Sequence, residues 1–195
     1  MNRVAQKGST GARGGMRIVA GEWRGRKVVA PEGDTTRPTS DRTRETLFSM
    51  LASRLGAFDG LKVADLFAGS GALGLEALSR GAAHCLFVDQ DPAAIRAIRR
   101  NIANLHAQDR CDVRALSVMA LGAAREPLDL VLIDAPYDTG AGSVAVDKLA
   151  RLGWINEATW VSVETAKGES VAVKGFETDA ARVVGKACIH LLRRA

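Results

Sequence analysis

The segment Asp65-Leu66-Phe67-Ala68-Gly69-Ser70-Gly71-Ala72-Leu73-Gly74 most narrows the folds open to this chain. Lys62 to Phe67 is apolar and β-compatible, glycines in Gly-x-Gly-x-x-Gly spacing follow at once, and Leu73, Leu75, Ala77 and Leu78 give a following helix its buried side. A glycine pattern this short is frequent, and alone it reads equally well as an ordinary tight turn. Its context adds weight. Asp89, twenty positions beyond Gly69, ends the apolar run Cys85-Leu86-Phe87-Val88, where a second strand stops. A carboxylate there accepts hydrogen bonds from ribose hydroxyls, while the glycines let backbone approach a ligand. A nicotinamide cofactor satisfies most of these features. Two details favour a methyl donor instead: Asp65 closes the first strand, where a carboxylate can face a cationic ligand end, and no hydride-transfer partner lies nearby in sequence.

Ile133-Asp134-Ala135-Pro136-Tyr137 discriminates better. Leu128 to Ile133 has the nearly continuous apolar character of a central parallel strand, and Pro136 blocks its continuation after Asp134. Ligands of open α/β sheets sit outside the carboxyl ends of the strands, so Asp65, Asp89 and Asp134 are expected to converge on one crevice. An exocyclic amine of a nucleobase gives those carboxylates a purpose. Its lone pair is delocalised into the ring, and Asp134 accepting one N–H with the Ala135 carbonyl accepting the other would favour the pyramidal, reactive form. Tyr137 would stack on the flipped base, worth about 1–3 kcal/mol, against the few kcal/mol that unstacking costs. The plainer alternative is a strand end with Asp134 as a cap and Tyr137 as a half-buried aromatic.

Three motifs in order, Met16-Arg17-Ile18-Val19-Ala20-Gly21-Glu22-Trp23-Arg24-Gly25-Arg26-Lys27, Thr36-Arg37-Pro38-Thr39-Ser40-Asp41-Arg42-Thr43-Arg44-Glu45-Thr46-Leu47-Phe48, and Asp65 through Gly81, resemble the RsmD family of bacterial 16S ribosomal RNA guanine-N2 methyltransferases. The resemblance spans about residues 16 to 194. It implies a Rossmann-like class I methyltransferase fold: an α/β, mostly parallel seven-stranded sheet with one late antiparallel strand and an amino-terminal β-hairpin extension. It also implies S-adenosyl-L-methionine as cofactor and 16S rRNA, within the small ribosomal subunit, as partner. By position, the resemblance puts Asp65, Phe67, Gly69, Ser70 and Gly71 around the methionine moiety, Asp89 on the ribose, Ser117 and Val118 near the adenine, and Asp134, Ala135, Pro136 and Tyr137 at the base. The chain departs from the family pattern at Ala135, where a first proline is usual, and at Ser117, where a carboxylate or amide is usual. A backbone carbonyl does the work proposed at Ala135, so the chemistry survives with about 0.4–1 kcal/mol less rigidity.

Charge is informative once located. Residues 1 to 30 hold Arg3, Lys7, Arg13, Arg17, Arg24, Arg26 and Lys27 against Glu22, a balance of +6 in a chain that totals +5. A basic arm on a nearly neutral body suits phosphate contacts, each of which steepens the salt dependence of binding. Residues 1–15 read as a disordered, solubilising tail, 16–38 as an RNA-facing hairpin extension and 39–195 as the catalytic domain. Within the extension, Ile18 to Trp23 and Arg26 to Ala30 read as two short strands around Arg24-Gly25. Arg24, Arg26, Lys27, Arg37, Arg42 and Arg44 are the residues expected to touch RNA or close the pocket, with salt bridging on a solvated face an equal alternative for Arg44.

Further along, the chain alternates between helices and strands. Helices are expected from about Ser40 to Leu55, from Pro92 to about Asn104 with Ile95, Ile98 and Ile102 buried, and near Ser143 to Leu152. Strands are expected near Cys111 to Leu116, Trp160 to Glu164, Val171 to Val173 and Arg182 to Leu192. At 47% hydrophobic content in 195 residues, one domain with a sizeable core can form. Cys85, Cys111 and Cys188 lack a C-x-x-C spacing and read as reduced thiols of a cytoplasmic protein; with His84, His106 and His190 scattered, no metal site is expected. Neither a membrane span nor a signal-peptide stretch is expected. Rival readings are an adenine-N6 nucleic-acid methyltransferase, a nicotinamide-dependent oxidoreductase, and a ribosome-binding module whose catalytic loop has decayed at Ala135.

Overall fold

The computed structural model describes residues 15–33 and 40–195. Helix α1 (Asp41–Leu55) starts where the Ser40 hydroxyl accepts the Thr43 N–H, and stops at Gly56 with φ +73°. Strand β1 (Lys62–Leu66), α2 (Ala72–Ser79), β2 (His84–Asp89), α3 (Pro92–Leu105) and β3 (Cys111–Ala115) then alternate. The sequence expectation for α3 holds closely: Asp91 caps it by accepting the Ala93 N–H, Pro92 opens it, and Ile95, Ile98 and Ile102 are buried. β4 (Leu130–Ile133), α4 (Ala141–Arg151), β5 (Trp160–Ala166), β6 (Phe176–Val184) and β7 (Ala187–Arg194) complete the order.

The seven strands form one sheet in the order β3-β2-β1-β4-β5-β7-β6. All neighbours from β3 to β5 are parallel, and β7 lies antiparallel between β5 and β6, so it alone opposes the other six. The topological switch falls between β1 and β4, the place where ligands bind in doubly wound sheets. Leu66 pairs with Val88 on one side and Ile133 on the other. Phe67, Asp89 and Asp134 therefore leave the sheet side by side.

The late strands differ from expectation. Val171 to Val173 lie in a loop packed on the core, and the stretch from Arg182 to Leu192 is broken by a tight turn at Gly185, φ +61°, which converts one expected strand into the β6–β7 hairpin. Alternation along the central strands sends Val63, Phe87, Leu130 and Leu132 to the face covered by α1, α2 and α3, and Ala64, Leu66, Val88, Val131 and Ile133 to the face covered by α4, Trp154 and Ile155. No helix among the described residues is long and apolar enough to cross a membrane.

The amino-terminal segment also departs from the two-strand hairpin expected of it. A single antiparallel bridge, Arg17 with Lys27, joins its arms, and the Val28 and Ile18 N–H groups bond the Met16 and Arg26 carbonyls. Gly21, at φ +84°, turns the chain early, and a Cβ there would lie 1.9 Å from the Ser79 carbonyl oxygen. The backbone donors that would have built a ladder go instead to α2: Val19 and Ala20 donate to the Glu76 carboxylate (2.8 and 3.0 Å), Glu22 to the Ser79 carbonyl (2.7 Å) and Trp23 to the Ser79 hydroxyl (2.9 Å). Ile18, Trp23 and Val28 join the same apolar cluster as α1, α2 and α3.

Glu76 is the centre of this attachment. It is fully buried, accepts Arg80 Nε at 2.9 Å, and lies 4.0 Å from the guanidinium of Arg44. Arg44 is 0% exposed and donates to the Arg17 carbonyl at 2.8 Å and to Asp41. Removing one partner of a buried ion pair strands the other and commonly costs about 3–5 kcal/mol. Glu76→Ala, which also abandons two backbone donors, should lower folding stability by about that amount, read as a fall in the denaturant midpoint; a loss below about 1 kcal/mol would show that the hub is replaceable.

Candidate active site

The turn after β1 is built from positive φ angles: Phe67 at +56°, Gly69 at +55° and Gly71 at +78°. An aromatic residue in the left-handed region is costly, and such outliers persist where surrounding structure over-determines them. Here the determinants are two carboxylates. Asp89 accepts the Gly69 N–H at 2.9 Å with one oxygen and the Asp91 N–H at 2.9 Å with the other, and Asp65 accepts the Gly74 N–H at 2.8 Å. Gly69 and Gly74 play different roles. A Cβ at Gly69 would meet nothing within 4 Å, so that position opens onto the crevice. One at Gly74 would lie 2.4 Å from the Phe87 ring and 2.6 Å from Cys85 Sγ, so Gly74 permits the close packing of α2 on β2.

Asp65 occupies a different place from the one expected. It is fully buried beneath the loop, bound to Gly74, and shapes the cradle rather than facing a ligand. Burial pushes its carboxyl well above the usual aspartate range, the Gly74 N–H opposes that rise, and the charges of Asp134 and Asp89 add to it. The last two effects mean that all three acids sit at one edge, as expected from strand order.

At the end of β4, Asp134 is half-buried and its N–H bonds the Leu66 carbonyl at 3.4 Å. Ala135 is buried, Pro136 is exposed, and Tyr137 is 40% exposed while its hydroxyl donates to Glu164 Oε1 at 2.5 Å. Asp138, at φ +58°, turns the chain onward, and the Thr139 hydroxyl bonds the Pro136 carbonyl at 2.7 Å. Ser117 caps a short 3-10 turn over Val118–Ala120 by accepting the Met119 N–H at 3.2 Å, and Val118 packs among Leu66, Val88 and Ile133. Ser70 lies on the loop, with its carbonyl held by Asn101 at 2.9 Å.

Arg24, Arg26, Lys27 and Arg42 are exposed, with Arg26 also donating to the Asn104 carbonyl at 2.5 Å. Arg44 must be removed from the RNA-facing set: its complete burial and its bonds to Arg17, Asp41 and Glu76 make it a structural cation. Arg37 lies outside the described residues, as does the tail before Gly15. Two features escaped sequence reasoning. Arg96, Arg99 and Arg100 form an exposed stripe on α3, the helix that Arg26 and Val29 touch, and their i, i+3, i+4 spacing opposite Ile95, Ile98 and Ile102 was the available signal. Glu164, buried within β5, accepts the Tyr137 hydroxyl from the loop after β4, and its place directly after the strand-like run Trp160 to Val163 was the available signal.

A doubly wound sheet with this strand order, a glycine cradle after β1, an acid ending β2 and Asp-Ala-Pro-Tyr after β4 defines a class I methyltransferase. The family model described as "Conserved hypothetical protein 95" matches residues 16–193. "Ribosomal RNA small subunit methyltransferase D" of Escherichia coli (strain K12) is 34% identical over 183 residues, covering 93% of this chain and 91% of that protein. The protein of the same name from Haemophilus influenzae is 33% identical over 161 residues, covering 80% and 81%. The solved structure "Putative methyltransferase yhhF from Escherichia coli" superimposes with a TM-score of 0.80 at 34% identity, covering 92% of this chain and 97% of that one. The chain belongs to this family, the one its motifs resemble, and is an S-adenosylmethionine-dependent methyltransferase.

The residues present fit that cofactor. Gly69 leaves open space where a side chain would stand, Asp89 ends β2 as an acceptor, and Asp89 and Asp134, at the ends of the strands flanking β1, place carboxylates that suit a ligand carrying a sulfonium cation.

The raised carboxyl of Asp65 makes stability depend on pH. Because the folded state keeps this proton above the ordinary value of 3.8, the group's contribution is present below that value and is lost as pH rises through the higher folded value. Asp65→Asn keeps an acceptor for Gly74 and removes the titration, so its denaturation midpoint should decline less than that of the unsubstituted protein as pH rises above the ordinary aspartate range. Equal declines would assign the proton to another group.

Proposed function

We propose that this chain transfers a methyl group from S-adenosylmethionine to the exocyclic N2 of one guanine in 16S rRNA, acting in the cytoplasm on the small ribosomal subunit. The observation that carries the reading is the register of Leu66 with Ile133, which sets Asp134-Ala135-Pro136-Tyr137 beside the glycine cradle. The names of the relatives from Escherichia coli and Haemophilus influenzae support small-subunit rRNA as the substrate.

Phe67, Gly69, Ser70 and Gly71 would hold the methionine end, with Asp65 supporting the loop from below, Asp89 at the ribose, and Val118 packing near the adenine with Ser117 capping its turn. When bound, S-adenosylmethionine supplies an electrophilic methyl carbon on a positively charged sulfur. Asp134 accepts one N2–H and the Ala135 carbonyl the other, which turns the nitrogen lone pair out of conjugation and toward the cradle. Pro136 limits the freedom of that carbonyl, and Tyr137 stacks on the base. Once N2 carries a fourth substituent its proton is acidic and leaves without a strong general base.

Residues 16–38 serve as an RNA-facing extension of the 39–195 catalytic unit. Arg24, Arg26 and Lys27 grip phosphates, continued on α3 by Arg96, Arg99 and Arg100, and Arg42 stands exposed at the start of α1. None of the three α3 arginines makes an ion pair with the described residues.

Nucleoside analysis of small-subunit RNA from cells with and without this protein tests the reading directly. One N2-methylguanosine should disappear with the gene; an unchanged profile would refute it. Asp134→Ala should reduce transfer by at least about a hundredfold, as expected for a lost transition-state contact, with S-adenosylmethionine affinity within a few-fold. Equal loss of both would move Asp134 to the cofactor. Neutralising Arg96, Arg99 and Arg100 together should flatten the slope of log affinity for particles against log salt by about 2–3 units, at about 0.7–0.9 per phosphate. An unchanged slope would put α3 away from the RNA.

A further inference from the structure

The peptide joining Ser70 to Gly71 lies in the turn after β1, and Gly71, at φ +78°, can take either sign of φ at little steric cost. Local geometry alone therefore leaves that peptide free to flip. A trans peptide points its carbonyl and its N–H in opposite directions, so two bonds are needed to hold its plane. On one side the Gly71 N–H bonds the Ala68 carbonyl at 2.7 Å, within the turn itself. On the other the Ser70 carbonyl accepts Asn101 Nδ2 at 2.9 Å, a bond that arrives from α3.

Asn101 is 1% exposed, and both ends of its amide are engaged. Nδ2 also donates to the Val29 carbonyl at 2.9 Å, and Oδ1 accepts the Val29 N–H at 2.8 Å. Two carbonyls and one N–H match the two donors and the acceptor of an asparagine side chain. Val29 belongs to the amino-terminal segment, 72 positions away. The other arm of that segment reaches the same serine, with Met16 Sδ 3.9 Å from Ser70 Oγ, and the Met16 carbonyl accepts the Val28 N–H at 2.9 Å. Ser70 is thus met by both arms, directly by one and through Asn101 by the other.

We propose that Asn101 is a positioning residue for S-adenosylmethionine, fixing the Ser70–Gly71 peptide while the amino-terminal segment is docked, so that docking of the segment sets the affinity of the cofactor site. With Val29 withdrawn the amide keeps one protein partner of three, and water competes for its plane. The inference rests on the proposed placement of the cofactor against Phe67, Gly69, Ser70 and Gly71, and adds the amino-terminal segment to what shapes that site.

Calorimetric titration of the whole chain with S-adenosylmethionine tests this. Asn101→Ala should raise Kd by about twofold to tenfold, the range of one lost neutral hydrogen bond. Gly21→Ala, whose Cβ would lie 1.9 Å from the Ser79 carbonyl oxygen, displaces the segment at the other end of α2 and should also raise Kd. If Gly21→Ala does not fold, Ser79→Ala replaces it, removing the hydroxyl that accepts the Trp23 N–H and donates to the Ala20 carbonyl. The double variant should fall well short of the product of the two single effects, because both act on one bond. Stoichiometry counts the folded protein, so a loss of folded material lowers that number and leaves Kd in place. Kd unchanged in either single variant, or effects that multiply in full, would overturn the role of Asn101. Amide NMR shifts of Gly69, Ser70 and Gly71 in the unsubstituted protein keep the two readings apart: shifts on adding S-adenosylmethionine uphold the placement whatever Asn101 does, and their absence would overturn the placement and this inference together.

Discussion

The site depends on carboxylates that satisfy backbone donors. A turn containing Phe67 at a positive φ cannot hold itself, because its N–H groups face away from regular partners and its aromatic residue resists the conformation. Asp89 binds the Gly69 N–H from the neighbouring strand and Asp65 binds the Gly74 N–H from below. Both acids are delivered by the parallel pairing of β1 with β2, so sheet register and loop shape are one constraint. The cost appears on Asp65, buried among like charges and pushed toward its protonated form.

The second requirement is attachment of the amino-terminal segment. Its backbone donors are consumed by Glu76 and Ser79 on α2, and its apolar residues Ile18, Trp23 and Val28 fill the groove above α1, α2 and α3. A ladder of its own would have left those helix groups to other partners. The cations of the segment stay outside, where Arg110, ion-paired to Glu22, also lies over the Trp23 ring at 5.2 Å.

Much of this was legible in the chain itself, for identifiable reasons. The glycine run, Asp89 and Asp134 mark strand ends because apolar runs stop at them, and parallel order then brings them together. α3 was readable from Asp91-Pro92 and the isoleucine spacing, where local signals agree. The hairpin was misread because Gly21 and the Glu76 carboxylate, 55 positions apart, decide where the backbone bonds go, and no local pattern carries that information. Arg44 was misassigned for the same reason: an arginine on a polar helix turn looks exposed until Glu76 and the Arg17 carbonyl cover it. The break at Gly185 was overlooked because Val183-Val184 and Ala187-Cys188 on either side are equally strand-like.

Asn101 ties the two halves of the molecule together. Its buried amide donates to the Val29 and Ser70 carbonyls and accepts the Val29 N–H, so one side chain of α3 spans the amino-terminal arm and the glycine turn after β1. The arm cannot lift without leaving that amide half-served, and the Ser70 carbonyl shares its Asn101 donor with the arm. The position of the amino-terminal arm and the shape of the glycine turn are thus joined through a few atoms, and slack in either is felt by the other.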